Sequence, residues 1–385
     1  MPPPIALYIH WPFCLAKCPY CDFNSHVRAA VEPRHWRDAL LRDMAHEAAV
    51  TGPRTISSIF FGGGTPSLMP PSLVADLIDE AARLWVLSED CEITLEANPS
   101  SVETGNFAAL AQTGVNRVSL GVQSFHDEVL RRLGRLHDAD EARAAIEVAQ
   151  ANFARVSFDL IYARPEQTEA AWEAELRDAL TFGTDHLSLY QLTIEPGTRF
   201  ATDVRRGVLK PLDDDAAATL YDLTAAITTD AGLPPYEISN HARPGSESRH
   251  NLTYWRYGDY VGIGPGAHGR RGGVATERHR KPENYLAAVD AKGDGISLER
   301  PLPPRESAEE AVMMGLRLAE GIDPVALAAR FGMSVDSLID GERVALYERQ
   351  GLLRRDGARL MVTKSGMPLL DALLGELIAP TPVEP

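Results

Sequence analysis

The chain has 385 residues, 44% of them hydrophobic, and a formal net charge of −16 at pH 7, so it can bury a sizeable core and is not globally disordered. The acidic balance disfavours nonspecific binding to nucleic acid or anionic membrane by the chain as a whole. No run reaches the about 18 apolar residues of a spanning helix, and Met1-Pro2-Pro3-Pro4 lacks the basic and apolar regions of a signal peptide, so a cytoplasmic protein without a transmembrane segment is expected.

Short apolar runs alternate with helical patterns from the start. Strands are expected at Ile5–His10, Ser58–Phe61, Glu92–Glu96, Arg117–Gly121, Arg155–Leu160 and His186–Gln191. Helices are expected at Arg34–Val50, Pro71–Leu84, Val102–Thr113, Asp127–Leu133, Ala139–Ala151 and Ala170–Thr181. Such a rhythm builds right-handed βαβ units and a parallel sheet. Its six strands suit a partial barrel, with a doubly wound open sheet as the alternative. After Gln191 the rhythm stops. A long helix is expected over Asp213–Ala231, then a Gly- and aromatic-rich stretch from Tyr254 to Gly273, and a linker at Arg300–Arg305. Helical segments at Glu306–Ala319, Val325–Phe331, Val335–Leu338 and Arg343–Gln350, with a hairpin ending in Arg359–Val362, read as a small winged-helix-like domain. That domain holds nine Lys/Arg against thirteen Asp/Glu over Arg305–Pro385, so no nucleic-acid partner is expected. The expected division is 1–200, 201–300 and 301–385.

Three of the four cysteines, Cys14, Cys18 and Cys21, fall in one short loop. The spacing would also place them on one face of a helix, where small buried cysteines are the plain reading. Pro12 and Pro19 interrupt any continuous helix there. Zinc is a second reading, since His10 and His26 flank the loop, although no second cysteine pair follows. An odd cluster in a reducing compartment speaks against disulfides. An iron–sulfur cluster is the third reading: three thiolates leave one iron without a protein ligand. Cys91 reads as structural.

Polar residues gather where strands end, the place where parallel sheets carry their function. Gly62, Gly63, Gly64 and Thr65 close the second strand, and glycines there permit close approach of a ligand. Glu96, Gln123 and Asp159 stand at or near the ends of later strands, with Arg135 in the turn region that follows. Singly, each is as readily a cap or a surface charge.

The string Tyr8-Ile9-His10-Trp11-Pro12-Phe13-Cys14-Leu15-Ala16-Lys17-Cys18-Pro19-Tyr20-Cys21 resembles the signature of radical S-adenosylmethionine (SAM) enzymes. The resemblance implies a (βα)6 partial barrel and a [4Fe–4S] cluster on Cys14, Cys18 and Cys21. It implies SAM on the open iron, reductive cleavage to a 5′-deoxyadenosyl radical, and an electron donor such as a flavodoxin or ferredoxin. It places SAM contacts at Tyr8, Gly62, Gly63, Gly64, Thr65, Glu96, Gln123, Arg135 and Asp159. Ala163-Arg164-Pro165 stands where relatives usually have Gly-Leu-Pro.

The wider string resembles the branch that holds the oxygen-independent coproporphyrinogen III oxidases and the heme chaperones called HemW. The oxidases carry a fourth cysteine where this chain has Phe23, and a long extension where seven residues precede Tyr8. His250-Asn251-Leu252-Thr253-Tyr254-Trp255 matches the HNxxYW motif of the chaperones. The resemblance therefore implies heme as cargo, His250 as a heme-binding residue and an acceptor hemoprotein, plausibly respiratory; coproporphyrinogen III dehydrogenation is the alternative. His268 is a second candidate histidine. The stretch His241–Lys281 carries eight Lys/Arg against three Asp/Glu, which suits either a solvated loop or a pocket for carboxylates.

Overall fold

The computed structural model describes residues 2–28 and 31–379. Met1 and the last six residues of the expected C-terminal domain, 380–385, lie outside the described residues.

Side-chain alternation in the first six long strands decides what each face does. These are β1 (Ile5–Trp11), β2 (Thr55–Gly63), β3 (Val86–Ala97), β4 (Arg117–Gln123), β5 (Arg155–Tyr162) and β6 (His186–Gln191). They pair in sequence order and every pair is parallel. A doubly wound sheet reverses its strand order at a switch point. Here the order never reverses, so the crossover helices cover one face and the sheet curls as a partial barrel.

On the helix side, Leu7, Phe61, Leu95, Leu120, Leu160 and Leu189 are buried in one large core. They meet Leu40 of α1 (Pro33–Thr51), Leu77 of α2 (Pro71–Leu84), Ile146 of α3 (Ala139–Asn152) and Leu176 of α4 (Glu169–Leu180). The intervening residues are polar: Glu92 and Glu96, Ser119, Ser157 and Asp159, Ser188. Parallel strands packed on both faces normally read as unbroken apolar runs. A polar inner stripe marks a chamber.

The helices expected between the six strands match their spans with one difference. Val102–Thr113 is two short helices, Ser101–Thr104 and Phe107–Ala111, parted at Gly105-Asn106, where glycine weakens a helix interior.

The sheet continues past Gln191, which the sequence reading did not anticipate. After the long helix α5 (Asp214–Asp230), β7 (Asn240–Ala242) adds antiparallel to β6. The HNxxYW residues form a helix, α6 (Arg249–Trp255), a segment for which no element was expected. Next, β8 (Tyr260–Ile263) pairs parallel with β1 on the other side of the barrel. From it β9 (His268–Arg271), β10 (Val274–Arg278) and β11 (Ile296–Pro301) extend antiparallel, giving eleven strands. The expected linker therefore begins inside β11.

The C-terminal unit starts with α7 (Pro304–Gly315). Three more helices follow, then the antiparallel hairpin of β12 (Leu353–Asp356) and β13 (Arg359–Val362) and the helix Leu370–Leu377. Leu316, Leu338, Val344, Leu360 and Leu377 form a second core of their own. Among the described residues, no helix is long and apolar enough to cross a membrane.

Candidate functional site

The cysteine loop leaves β1 at its C-terminal end. Pro12 breaks the strand, and the backbone folds back on itself: His26 N donates to Pro12 O at 2.7 Å and Cys21 N to Cys18 O at 3.2 Å. Cys14, Cys18 and Cys21 are half-buried free thiols. Each sulfur has a donor or hydroxyl partner. Thr65 Oγ1 lies 3.4 Å from Cys14 Sγ, Arg135 Nη1 3.4 Å from Cys18 Sγ, and Ser25 Oγ 4.0 Å from Cys21 Sγ. Hydrogen bonds to sulfur favour the thiolate and tune iron–sulfur potentials. In the metal-free chain burial still holds the Cys14 and Cys21 thiols above their ordinary range.

Among the described residues, no three His, Cys, Asp or Glu side chains converge closely enough to share one metal ion. Of the two histidines that flank the loop, His10 is occupied: Tyr8 Oη lies 2.9 Å from its Nδ1, and its Nε2 donates to Asn24 O at 2.9 Å. Burial lowers its pKa to about 4. Three half-buried thiols in one loop, each with its own hydrogen-bond partner, suit a cubane, whose thiolates each take a different iron.

The glycine segment is zipped to this loop by backbone bonds, Gly64 N to Trp11 O at 2.7 Å and Thr65 N to Phe13 O at 2.9 Å. Gly63 has φ +113°, and a Cβ there would stand 2.6 Å from His10 Cε1. Only glycine fits. Its N–H donates to Glu96 Oε2 at 3.3 Å, so β1, β2 and β3 share one corner.

Two carboxyls line the chamber. Burial, reinforced by Asp159, raises Glu96 to about 8, and burial raises Asp159 to about 6. Asp159 accepts from Ser119 Oγ at 3.3 Å. Such acids are held for a cation: a sulfonium or ammonium between them would draw both back toward the charged form. Tyr8 faces the same space, and its hydroxyl is also held protonated, by burial and then by Glu96.

Gln123 has φ +72°, an uncommon conformation for a residue with a side chain, and its buried Oε1 has no partner among the described residues. A strained backbone with an unsatisfied acceptor is what a ligand site leaves open. Arg135 stands between loop and barrel. It donates to Gly121 O at 2.8 Å and to Asn98 Oδ1, while its buried Nε has no partner among the described residues. Asn98 Nδ2 in turn donates to Thr65 Oγ1 at 3.1 Å. The sequence reading missed Asn98 as a bridge. It also missed Asn24, whose Nδ2 holds Pro265 O at 2.8 Å and Arg280 O at 2.9 Å. Nothing in residue type distinguishes a bridging amide from a turn former.

These side chains fit the two groups the resemblance implies. The loop supplies three thiols, and the chamber supplies buried acids for a cation, an orphaned amide oxygen and a guanidinium.

His250 is placed elsewhere. It lies on α6, 1% exposed, its ring stacked on Phe60 at 4.9 Å between centroids and 6.3 Å from Tyr8. Both nitrogens are engaged, Nδ1 with Ser58 Oγ at 2.9 Å and Nε2 with Tyr254 Oη at 2.5 Å. Burial lowers its pKa to about 3. Glu92, near the N-terminal end of the barrel, fixes this helix by accepting from Ser248 Oγ and His250 N, each at 3.3 Å. The histidine thus floors the chamber beneath Tyr8, away from the cysteine loop. His268 is exposed at the start of β9. Cys91 is buried in the core.

The Radical SAM superfamily matches residues 8–179, and the HemN C-terminal domain matches residues 302–369. The chain is 38% identical to heme chaperone HemW of Escherichia coli strain K12, over 98% of this chain and 99% of that protein. It is 39% identical to radical S-adenosyl methionine domain-containing protein 1, mitochondrial, of Bos taurus, over 97% of this chain and 87% of that one. In fold it matches the solved coproporphyrinogen III oxidase (HemN) of Escherichia coli, a radical SAM enzyme, with a TM-score of 0.81 at 23% identity, covering 97% of this chain and 89% of that one. The chain belongs to the radical SAM superfamily, in the branch of the heme chaperones called HemW.

Proposed function

We propose that the chain is a heme carrier that holds a [4Fe–4S] cluster and SAM and delivers heme to an acceptor protein. The observation that carries the reading is the trio of free thiols at the mouth of a polar chamber, in a chain that aligns end to end with proteins called heme chaperones. When bound, cluster and SAM together supply reductive cleavage of a carbon–sulfur bond. The chain's own part is positional. Cys14, Cys18 and Cys21 hold the cluster, with Thr65 and Arg135 as donors to sulfur. Gly62, Gly63 and Gly64 admit SAM close to the backbone. Glu96 and Asp159 face its cationic groups, Gln123 offers an acceptor–donor amide, and Tyr8 closes the floor with His250 beneath it. Residues 1–200 and 201–300 build that chamber in this reading, and 301–385 form an appended domain.

Free cysteines suit a reducing compartment, which supports a cytoplasmic protein. The acceptor and a small electron-transfer donor would meet the protein at the cysteine loop. Anaerobic protein supplied with reductant, SAM and coproporphyrinogen III separates this reading from the dehydrogenase. It should leave the porphyrinogen unchanged, yet shift the Soret band of added hemin and pass that heme to an apo-hemoprotein. Vinyl-bearing product would reverse the assignment.

A further inference from the structure

Glu175 sits on α4, in the helix layer around the barrel, yet its carboxylate is 1% exposed and bonds the loops that follow two strands. After β4, its Oε1 accepts from Ser124 Oγ at 2.5 Å and from Phe125 N at 3.0 Å. After β5, its Oε2 accepts from Arg164 Nη2 at 2.5 Å. Arg164 Nη1 closes the triangle by donating to Ser124 Oγ at 2.9 Å. All three residues are buried. A buried ion pair is weak evidence of stability, since apolar side chains of similar volume often do as well. The donors and acceptors here converge on one turn.

That turn begins at Gln123, whose φ is +72°. The β4–β5 ladder slips between Leu120 and Gln123, so regular pairing alone does not set the backbone there. Side chains complete the task. On the N-terminal side, Gly121 O accepts from Arg135 Nη2 at 2.8 Å, and His137 Nε2 lies 3.0 Å from Val122 O. On the C-terminal side stand Ser124 and Phe125, both bonded to Glu175. The peptides on either side of Gln123 are thus fixed. A left-handed conformation that side chains rarely adopt persists where its surroundings over-determine it. The result is a buried amide whose Oε1 has no partner among the described residues.

We propose that Glu175, oriented by Arg164, is a positioning residue that holds the Gln123 amide toward SAM. The proposal rests on the reading of the chamber as a SAM site and adds the residues behind its wall that shape it. Without the Glu175 bonds, the turn after β4 relaxes, Gln123 returns toward negative φ, and its amide swings away from the ligand.

The test titrates full-length, cluster-loaded protein with SAM by anaerobic calorimetry and follows the cluster by its absorption. In Arg164→Leu/Glu175→Leu both charges leave together, so no lone charge stays buried. SAM should bind about tenfold or more weakly while the cluster absorption is unchanged. Ser124→Ala removes only a hydroxyl and should weaken SAM roughly fivefold, which keeps the test decisive if the double variant does not fold. Gln123→Ala separates positioning from packing. It should weaken SAM by about tenfold as well, and adding Arg164→Leu/Glu175→Leu to it should cost nothing more, because residues that act through one another do not add. Wild-type SAM affinity in the Ser124 and double variants, or losses that multiply in full with that of Gln123→Ala, would overturn the proposal. If the wild type binds no SAM, the reading of the chamber itself fails, and this role with it.

Discussion

Glu92 is a heavily committed side chain inside the barrel. It is 1% exposed and accepts from Arg155 at 2.7 Å, Arg117 at 3.3 Å, Ser248 and the His250 backbone. Truncating one partner of a buried ion pair costs roughly 3–5 kcal/mol because the other charge is left alone. Glu92→Ala should therefore lower stability by about that amount in urea unfolding; a loss near zero would mean that Arg117 finds water. Glu96 makes the opposite kind of statement. Folding raises its pKa from the ordinary 4.5 to about 8. An acid with a raised folded pKa binds its proton more tightly when folded. Its contribution is complete below pH 4.5 and is lost as the pH rises through about 8. The metal-free protein should thus lose stability across that window, and Glu96→Gln should flatten the slope; parallel curves for the two proteins would contradict it. Ala163 is simpler. It adopts φ +54°, a region that costs a side chain roughly 1–2 kcal/mol. Arg164 beside it makes a buried ion pair with Glu175 at 2.5 Å that holds the turn. Ala163→Gly should raise stability by up to about 1 kcal/mol, read as a higher urea midpoint at unchanged m-value.

At the level of elements, α6 decides how the HNxxYW residues are read. Its period sets His250 and Tyr254 four residues apart on the face toward the barrel, where they bond each other. Trp255 turns toward the C-terminal unit, with the Arg317 guanidinium 5.8 Å from its ring centre. His250→Ala would leave Ser58 Oγ and Tyr254 Oη without their partner and a void against Phe60. A cost of about 2–4 kcal/mol is expected in urea unfolding, and wild-type stability would contradict the floor role. The βα half of the fold was legible because its strands are bounded by turn residues and its helices carry clear caps, as at Asp138 with Glu141. Strands β7 to β10 were not. They are three to five residues long, too short for a period to show, and glycines interrupt β8 and β9. The cysteine loop and Gly-rich segment stood out through unusual composition. The motif that singles out His250 carries no information about which face of a helix is buried.

For the whole molecule, two cores share the work. The barrel core runs from Ile5 to Val289, and the C-terminal core is built around Leu316, Leu338 and Leu377. They meet through polar contacts, among them Arg256 with Glu320 at 2.9 Å, Ala319 N with Tyr236 O at 2.9 Å and Arg330 with the Tyr257 carbonyl at 2.7 Å, and through an apolar cluster of Tyr236, Ala242 and Leu318. Leu377 is fully buried, and Leu377→Ala should destabilise the C-terminal unit by roughly 2–5 kcal/mol while leaving the cluster spectrum of loaded protein unchanged. A lost cluster would mean that the two cores unfold as one.

The central claim is that three thiols at the barrel mouth grip a cubane with one iron open to the chamber. Electron paramagnetic resonance of the anaerobically reconstituted, reduced protein, before and after SAM is added, tests it most directly. The account predicts a [4Fe–4S]⁺ signal that moves when SAM binds, and that stays where it was in a Glu96→Ala/Asp159→Ala variant given the same SAM. A protein that takes up zinc but no iron or sulfide, or a cluster signal indifferent to SAM in the wild type, would contradict it.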